Sequence, residues 1–391
     1  MIPLVSSNQK NTLAGSPVFF EATPVESSET KKKTLTFASR LFASLNICRM
    51  IKDALHVKIG EFIVPAQSRN KNDPVLIEGR QILLSKFCGE EITLKTPDGI
   101  VLDGMFIRCR KDDADVSRNS PTIIHFNGNG ERFECSSLYL NVDAEQEIEN
   151  RKLKYSFSEP VSNLRNYLNL GFNVFLFNYR GVARSQGRAT SEGLVLDGET
   201  AFQFVHQHLG VPKEHILLFG HSLGGAIAAH VAVKYPGTHL CSDRSFSSLD
   251  KVVYFLFYPS FFSWIASQFI KSLGWNLNSA DLWEKIKGKK WIVYHPADKL
   301  IPFQASLLYS LQQRKLDSIK AIQLKGPEEI YSYFQQKEAR ANQRPLTKEE
   351  MDLVKVIIDD SGFTDAHNRK LLPREIQEVF EHFKLSLHPK S

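Results

Sequence analysis

Short, almost wholly apolar runs separated by helix-length stretches dominate the middle of this chain. Thr122-Ile123-Ile124-His125-Phe126, Asn173-Val174-Phe175-Leu176-Phe177 and Ile216-Leu217-Leu218-Phe219 are the clearest of them. Runs of that kind read as strands buried on both faces, and their alternation with helical stretches predicts an α/β fold with a mostly parallel central sheet and helices on both faces. Residues 239–242, 291–295 and 321–324 continue the pattern. Ahead of them, residues 91–96 and 100–107 flank Pro97-Asp98-Gly99, a turn signal that predicts a hairpin at the start of the sheet.

Outside that core the pattern changes. Residues 1–34 are rich in Ser, Thr, Glu, Lys and Pro and are expected to form a flexible arm. Residues 35–89 are expected to be a helical extension, and the remainder, 90–391, one main domain. In the extension Leu41, Leu45, Ile51 and Leu55 recur near helical spacing between polar Arg40, Ser44, Lys52 and Asp53. That helix is expected to pack its apolar stripe on the main domain, with docking on a membrane surface or a protein partner as the alternative. Residues 252–270 carry no charge between Lys251 and Lys271, but Pro259, Ser260, Ser263, Ser267 and Gln268 interrupt them. A helical pair, buried or forming a lid insertion at about 250–290, fits this better than a membrane span. Two connections, about 131–160 and 326–360, are long enough to be loops with a role of their own.

Charge narrows the classes of partner. The 49 basic and 43 acidic residues leave a net charge of +6, and the lysine clusters at 31–33 and at 285, 287, 289 and 290 read as solvated faces, so no nucleic-acid partner is implied. Five scattered cysteines, Cys48, Cys88, Cys109, Cys135 and Cys241, form no pair with disulfide or zinc spacing. With no basic and apolar leader at residues 1–10, they point to a cytoplasmic protein, export without a cleaved signal being the other route. Neither GxGxxG nor GxxxxGK is present, which removes the common nucleotide-binding readings.

The chemistry is concentrated in Gly220-His221-Ser222-Leu223-Gly224-Gly225, between the apolar run at 216–219 and the helix-like 226–232. Strand, Gly-x-Ser-x-Gly and helix make a nucleophile elbow, with Ser222 at its apex. A serine hydroxyl needs a base, and the base needs an acid to orient it. Asp298 follows the strand at 291–295, where sites on open α/β sheets form, and is the acid, with Asp281 less well placed. His367, in a loop ahead of the helix-like 373–383, is the base, with His382 and His388 as alternatives. His221 is expected to pack beside the nucleophile. A tetrahedral intermediate needs two oxyanion donors, and the Leu223 and Asn129 backbone N–H groups are the candidates. The set calls for no metal and no cofactor.

The loop Asn127-Gly128-Asn129, the Asn178-Tyr179-Arg180-Gly181 turn, the elbow, Asp298 and His367-Asn368 together resemble the α/β-hydrolase-domain serine hydrolases over about residues 90–385. The N-terminal arm, the Asp243-Arg244-Ser245-Phe246-Ser247-Ser248-Leu249 segment and the overall size further resemble the chlamydial 43 kDa protein family. The chain departs from the hydrolase pattern in having Asn127 where a histidine usually stands, Val182-Ala183-Arg184 after the Tyr-Arg-Gly turn, and an enlarged loop before His367. The resemblance implies a serine hydrolase acting on an ester, thioester or amide of a small-molecule or acyl substrate, with acyl transfer open to it. The competing reading is a hydrolase-like scaffold that binds a partner or a membrane surface without catalysis.

Overall fold

The structure is a computed structural model and describes residues 18–22, 39–65, 72–109, 120–134, 163–316, 319–341, 343–352, 355, 365–369 and 371–387. Its strands are β1 (Val18–Glu21), β2 (Glu90–Lys95), β3 (Val101–Ile107), β4 (Thr122–Phe126), β5 (Asn173–Phe177), β6 (Ile216–His221), β7 (His239–Asp243), β8 (Lys290–Tyr294) and β9 (Ala321–Gln323). They form one sheet in the order β1-β2-β3-β5-β4-β6-β7-β8-β9. Only β3 runs against its neighbours; the remaining pairs, β1 with β2 and then β5 through β9, are parallel.

Strand geometry sends successive side chains to opposite faces, and the apolar runs use both. Ile124, Phe126, Phe175, Phe177 and Leu218 join one core with Phe202, Ala226 and Ile227. Ile123, Val174, Leu176, Leu217 and Phe219 join the other with Tyr167 and Phe380. The helices that close the first core are α4 (Ser191–Gln203) and α5 (Leu223–Lys234); those that close the second are α3 (Asn163–Asn169) and α10 (Pro373–Leu387). Each fully buried Leu, Ile or Phe contributes about 1.5–3 kcal/mol, so this two-sided core dominates stability.

Two helices precede the sheet. In α1 (Ser39–Ile63) the described part of the expected apolar stripe is not packed: Ile51 and Leu55 are exposed, as are Met50 and Phe62, while the side chains of Leu41 and Leu45 lie outside what is described. The buried face is His56, Gly60 and Ile63, because the contact is polar and close. His56 Nδ1 donates to the Leu273 carbonyl (2.6 Å), its Nε2 accepts from the Ser191 N–H (3.1 Å), and Trp275 Nε1 donates to the His56 carbonyl (3.0 Å). Helix α2 (Pro74–Phe87) is tied to the β2–β3 hairpin by buried Arg80, which bonds Glu91 (2.8 Å), Glu134 (2.7 Å) and Asp103.

Two further expectations are corrected. Residues 18–21 fall in the stretch read as a flexible arm, yet Val-Phe-Phe-Glu pairs with β2, its Phe20 ring 5.7 Å from that of Phe204; the polar residues around this short β-favouring run mask it. Apart from Ala22, the rest of the arm lies outside the described residues. The connection read as a loop from 326 contains α9 (Pro327–Ala341), whose Ile330, Tyr331 and Phe334 are buried while Glu328, Glu329 and Ser332 face solvent. The uncharged stretch does form a helical pair, α6 (Leu249–Phe257) and α7 (Phe262–Ser272), before α8 (Leu307–Gln313). Among the described residues no helix is long and apolar enough to cross a membrane.

The turn after β5 is held by buried charge. Arg180 Nε and Nη2 donate to Asp197 Oδ1 (2.9 and 2.8 Å), its backbone N–H donates to Oδ2 (2.8 Å), and Nη1 reaches Asp98 (2.8 Å). Burial pushes the Asp197 carboxyl up to about 6 even with Arg180 beside it. Replacing Arg180 by Met leaves that carboxylate buried without its counter-ion, and is expected to cost about 3–5 kcal/mol in urea denaturation. A loss below 1 kcal/mol would show that the pair does not hold the turn.

Candidate active site

The strand order reverses at β4, whose neighbours are β5 and β6, and a ligand crevice forms outside the carboxyl ends of strands at such a point. The loop after β4 and the elbow after β6 therefore meet. Gly224, in the first turn of α5, lies so close to the Phe126 and Asn127 carbonyls that a side chain there would collide with them, and a Cβ on Gly220 would stand 2.5 Å from the Gly224 backbone. Between these two glycines Ser222 is forced to φ 50°, ψ −117°. Its N–H donates to the Asp243 carbonyl (2.9 Å), and its own carbonyl accepts the Ser245 hydroxyl (2.7 Å).

The three side chains expected from the sequence come together. Ser222 Oγ lies 3.0 Å from His367 Nε2, and His367 Nδ1 lies 2.7 Å from Asp298 Oδ2. A carboxylate only accepts, so Nδ1 carries the ring hydrogen and Nε2 is left to accept the serine proton. The other Asp298 oxygen accepts the N–H groups of Leu300 and Ile301, both at 2.9 Å. Burial holds the His367 ring below its ordinary 6.5, with His221 and Arg244 acting in the same direction and Asp298 against it. At neutral pH the ring is a neutral base. Asp281, the other acid considered, pairs with Arg314 at the surface, and His388 lies outside the described residues.

Leu223 opens α5, where the first N–H groups of a helix have no partner within it, and the residue is buried beside Ser222. Asn129 is exposed in the turn after β4. The Gly128 N–H just before it is taken by Glu131 Oε2 (2.5 Å).

Several supporting residues escaped the sequence reading. Arg244, buried and bidentate to Asp243 (2.8 and 2.7 Å), donates to the Arg369 carbonyl (2.6 Å), two residues past His367. Arg369 is in turn bidentate to Glu375 in α10 (2.9 and 2.6 Å). Glu131 bonds His221 (2.9 Å). No periodic signal marks such long-range pairs; the one clue was the unusual Asp243-Arg244-Ser245 segment.

Residues 150–262 match the sequence model of the alpha/beta hydrolase fold, and the match contains the elbow. This chain is an α/β-hydrolase-fold protein. The hydrolase-fold chain is similar to the protein bem46 of Schizosaccharomyces pombe, 25% identical over 170 residues, which are 42% of this chain and 46% of that protein. It is similar to the protein YfhR of Escherichia coli, 29% identical over 233 residues, 57% of this chain and 68% of that one. It thus spans less than half the length of bem46. Among solved structures, an alpha-beta hydrolase from Vibrio vulnificus has a TM-score of 0.47 at 16% identity, over 76% of this chain and 90% of that one. The Pyrococcus furiosus esterase PF2001 has a TM-score of 0.43 at 17% identity, over 72% and 92%.

Backbone strain at Ser222 is measurable. A residue held at such angles costs about 1–3 kcal/mol, and glycine removes most of that while adding about 0.5–1 kcal/mol of chain entropy. Ser222→Gly is therefore expected to be more stable than the parent by about 1 kcal/mol in urea denaturation. A destabilised Ser222→Gly would mean that the elbow is relaxed.

Proposed function

We propose that this α/β-hydrolase-fold protein is a serine hydrolase that cleaves an ester, thioester or amide through an acyl-enzyme. The observation that carries the reading is the relay from Ser222 through His367 to Asp298, at 3.0 and 2.7 Å, on a strained elbow. In this reading Ser222 Oγ attacks the acyl carbon as its proton passes to His367 Nε2, and Asp298 stabilises the imidazolium. The carbonyl oxygen becomes an oxyanion, held by the backbone N–H groups of Leu223 and Asn129. Collapse expels the leaving group, which takes the proton from His367. Water, or another alcohol or amine, then repeats the sequence on the acyl-serine.

An apolar acyl group is the substrate class that the surroundings favour. Helix α6 begins four residues after Ser245, whose hydroxyl bonds the Ser222 carbonyl, which supports reading the helical pair as a lid. Its outer face exposes Leu256, Phe257, Phe261, Phe262 and Trp264, each more than half accessible. So much apolar surface on one hairpin suits an apolar substrate or peripheral contact with a membrane surface.

Intact-mass analysis with a fluorophosphonate tests the reading. The parent is expected to take up one adduct, Ser222→Ala none, and His367→Ala to react about 10²–10⁴-fold more slowly. Because burial lowers the His367 pKa, the base stays neutral to lower pH, and the acid limb of the labelling rate is expected below 6.5. No adduct on folded parent would reject the hydrolase and favour the binding scaffold.

A further inference from the structure

His221, one residue before the nucleophile, has oxygen acceptors at both ring nitrogens. Nε2 lies 2.9 Å from the backbone carbonyl of His367, and Nδ1 lies 2.9 Å from Glu131 Oε1. A carbonyl has no proton to give, so Nε2 carries a hydrogen. One more proton is then shared between Nδ1 and Glu131 Oε1, the other carboxylate oxygen being occupied by the Gly128 N–H.

The surroundings put that proton on the ring. Glu131 faces it from the loop after β4, Asp243 and Arg244 from the end of β7, His125 from β4, and His367 from the base loop with ring centroids 5.0 Å apart. Asp243 and Arg244 neutralise one another as a bidentate pair, and burial keeps His125 neutral, its pKa lowered to about 4. That leaves Glu131 as the group that decides. Burial alone would neutralise both partners, but each raises the cost of neutralising the other: the Glu131 carboxyl is held down to about 2, and the His221 ring is raised above 6.5.

We propose that the His221 imidazolium and the Glu131 carboxylate form a part-buried clamp that fixes the oxyanion loop to the base loop and so positions His367. Its contacts run in series: Gly128 N–H to Glu131, Glu131 to His221, and His221 to the carbonyl of the residue whose ring faces Ser222. His221 touches neither substrate nor Ser222 Oγ in this scheme, so it is a positioning residue. Its charge has a second effect. A cation beside His367 lowers that ring's pKa, so removing the charge raises it and moves the acid limb of activity to higher pH. Conversely, the raised His221 pKa keeps the clamp intact below that value and releases it as pH rises through it. The kinetic part rests on the serine-hydrolase reading; the ring's protonation does not.

Two measurements separate the parts. Nitrogen-15 NMR of histidine-labelled parent, with His221→Gln to identify the signal, is expected to show both His221 ring nitrogens protonated at pH 7. Glu131→Gln removes the counter-ion and is expected to lower that titration midpoint. A His221 ring with one unprotonated nitrogen at pH 7 in the parent, or a midpoint unmoved by Glu131→Gln, overturns the clamp. His221→Gln can still donate to the His367 carbonyl but carries no charge. It is expected to slow fluorophosphonate labelling by about tenfold and to shift the acid limb upward while the protein stays folded. An unchanged rate and limb would make His221 a packing residue. A parent that takes no label while showing the doubly protonated ring would sink the hydrolase reading and leave the clamp standing.

Discussion

Ser222 holds backbone angles that an L-residue adopts only when its neighbours leave no other choice, and the structure around it removes the choices in turn. Pairing with β4 and β7 fixes β6 on one side. On the other, α5 cannot move away because Ala226, Ile227, Ala229 and Val231 are wholly buried. Gly220 and Gly224 let the two elements approach until the residue between them has one conformation left. The strain, about 1–3 kcal/mol, is no more than the burial of one or two apolar side chains contributes, so a helix this apolar sustains it readily. The orientation of Ser222 is thus a property of the two-sided core.

Positioning of the other groups depends on buried charge. Arg80, Arg180, Arg244 and Arg369 each meet at least one carboxylate and are nearly inaccessible. Pairs of this kind seldom add net stability over apolar packing, since desolvation offsets most of the attraction. What they do here is geometric. A loop has few apolar side chains with which to lock itself, and a planar guanidinium bonded along two directions does so instead. Arg244 spans from the end of β7 to the loop that carries His367, and Arg369 carries the connection on to α10.

The parts legible from sequence were those whose signal is local. Strands β4, β5 and β6 are recognisable because burial on both faces leaves few polar positions in them. Ser222, Asp298 and His367 are recognisable because an elbow, a strand end and chain order constrain where each can stand. What escaped depends on partners far along the chain. Helix α1 turns His56 and Gly60 inward because Leu273, Ser191 and Trp275 offer matching groups, which the stripe of Ile51 and Leu55 does not announce. Helix α9 buries three residues of an otherwise charged segment. Glu131 and His221, ninety positions apart, carry no mark of their pairing.

The four residues of β1 lie at one margin of the sheet, where they accept the parallel pairing that β2 offers. Without them the outermost strand would be β2, six residues long and part of a regular hairpin, with its unpaired N–H and C=O groups open along their length. An edge of that kind recruits other chains into intermolecular sheets, whereas a four-residue strand with exposed Glu21 recruits poorly. The opposite margin ends in β9, which is only three residues long. Strand β1 therefore covers the edge that β2 would otherwise present, and deleting it would leave the N–H and C=O groups of that edge unpaired.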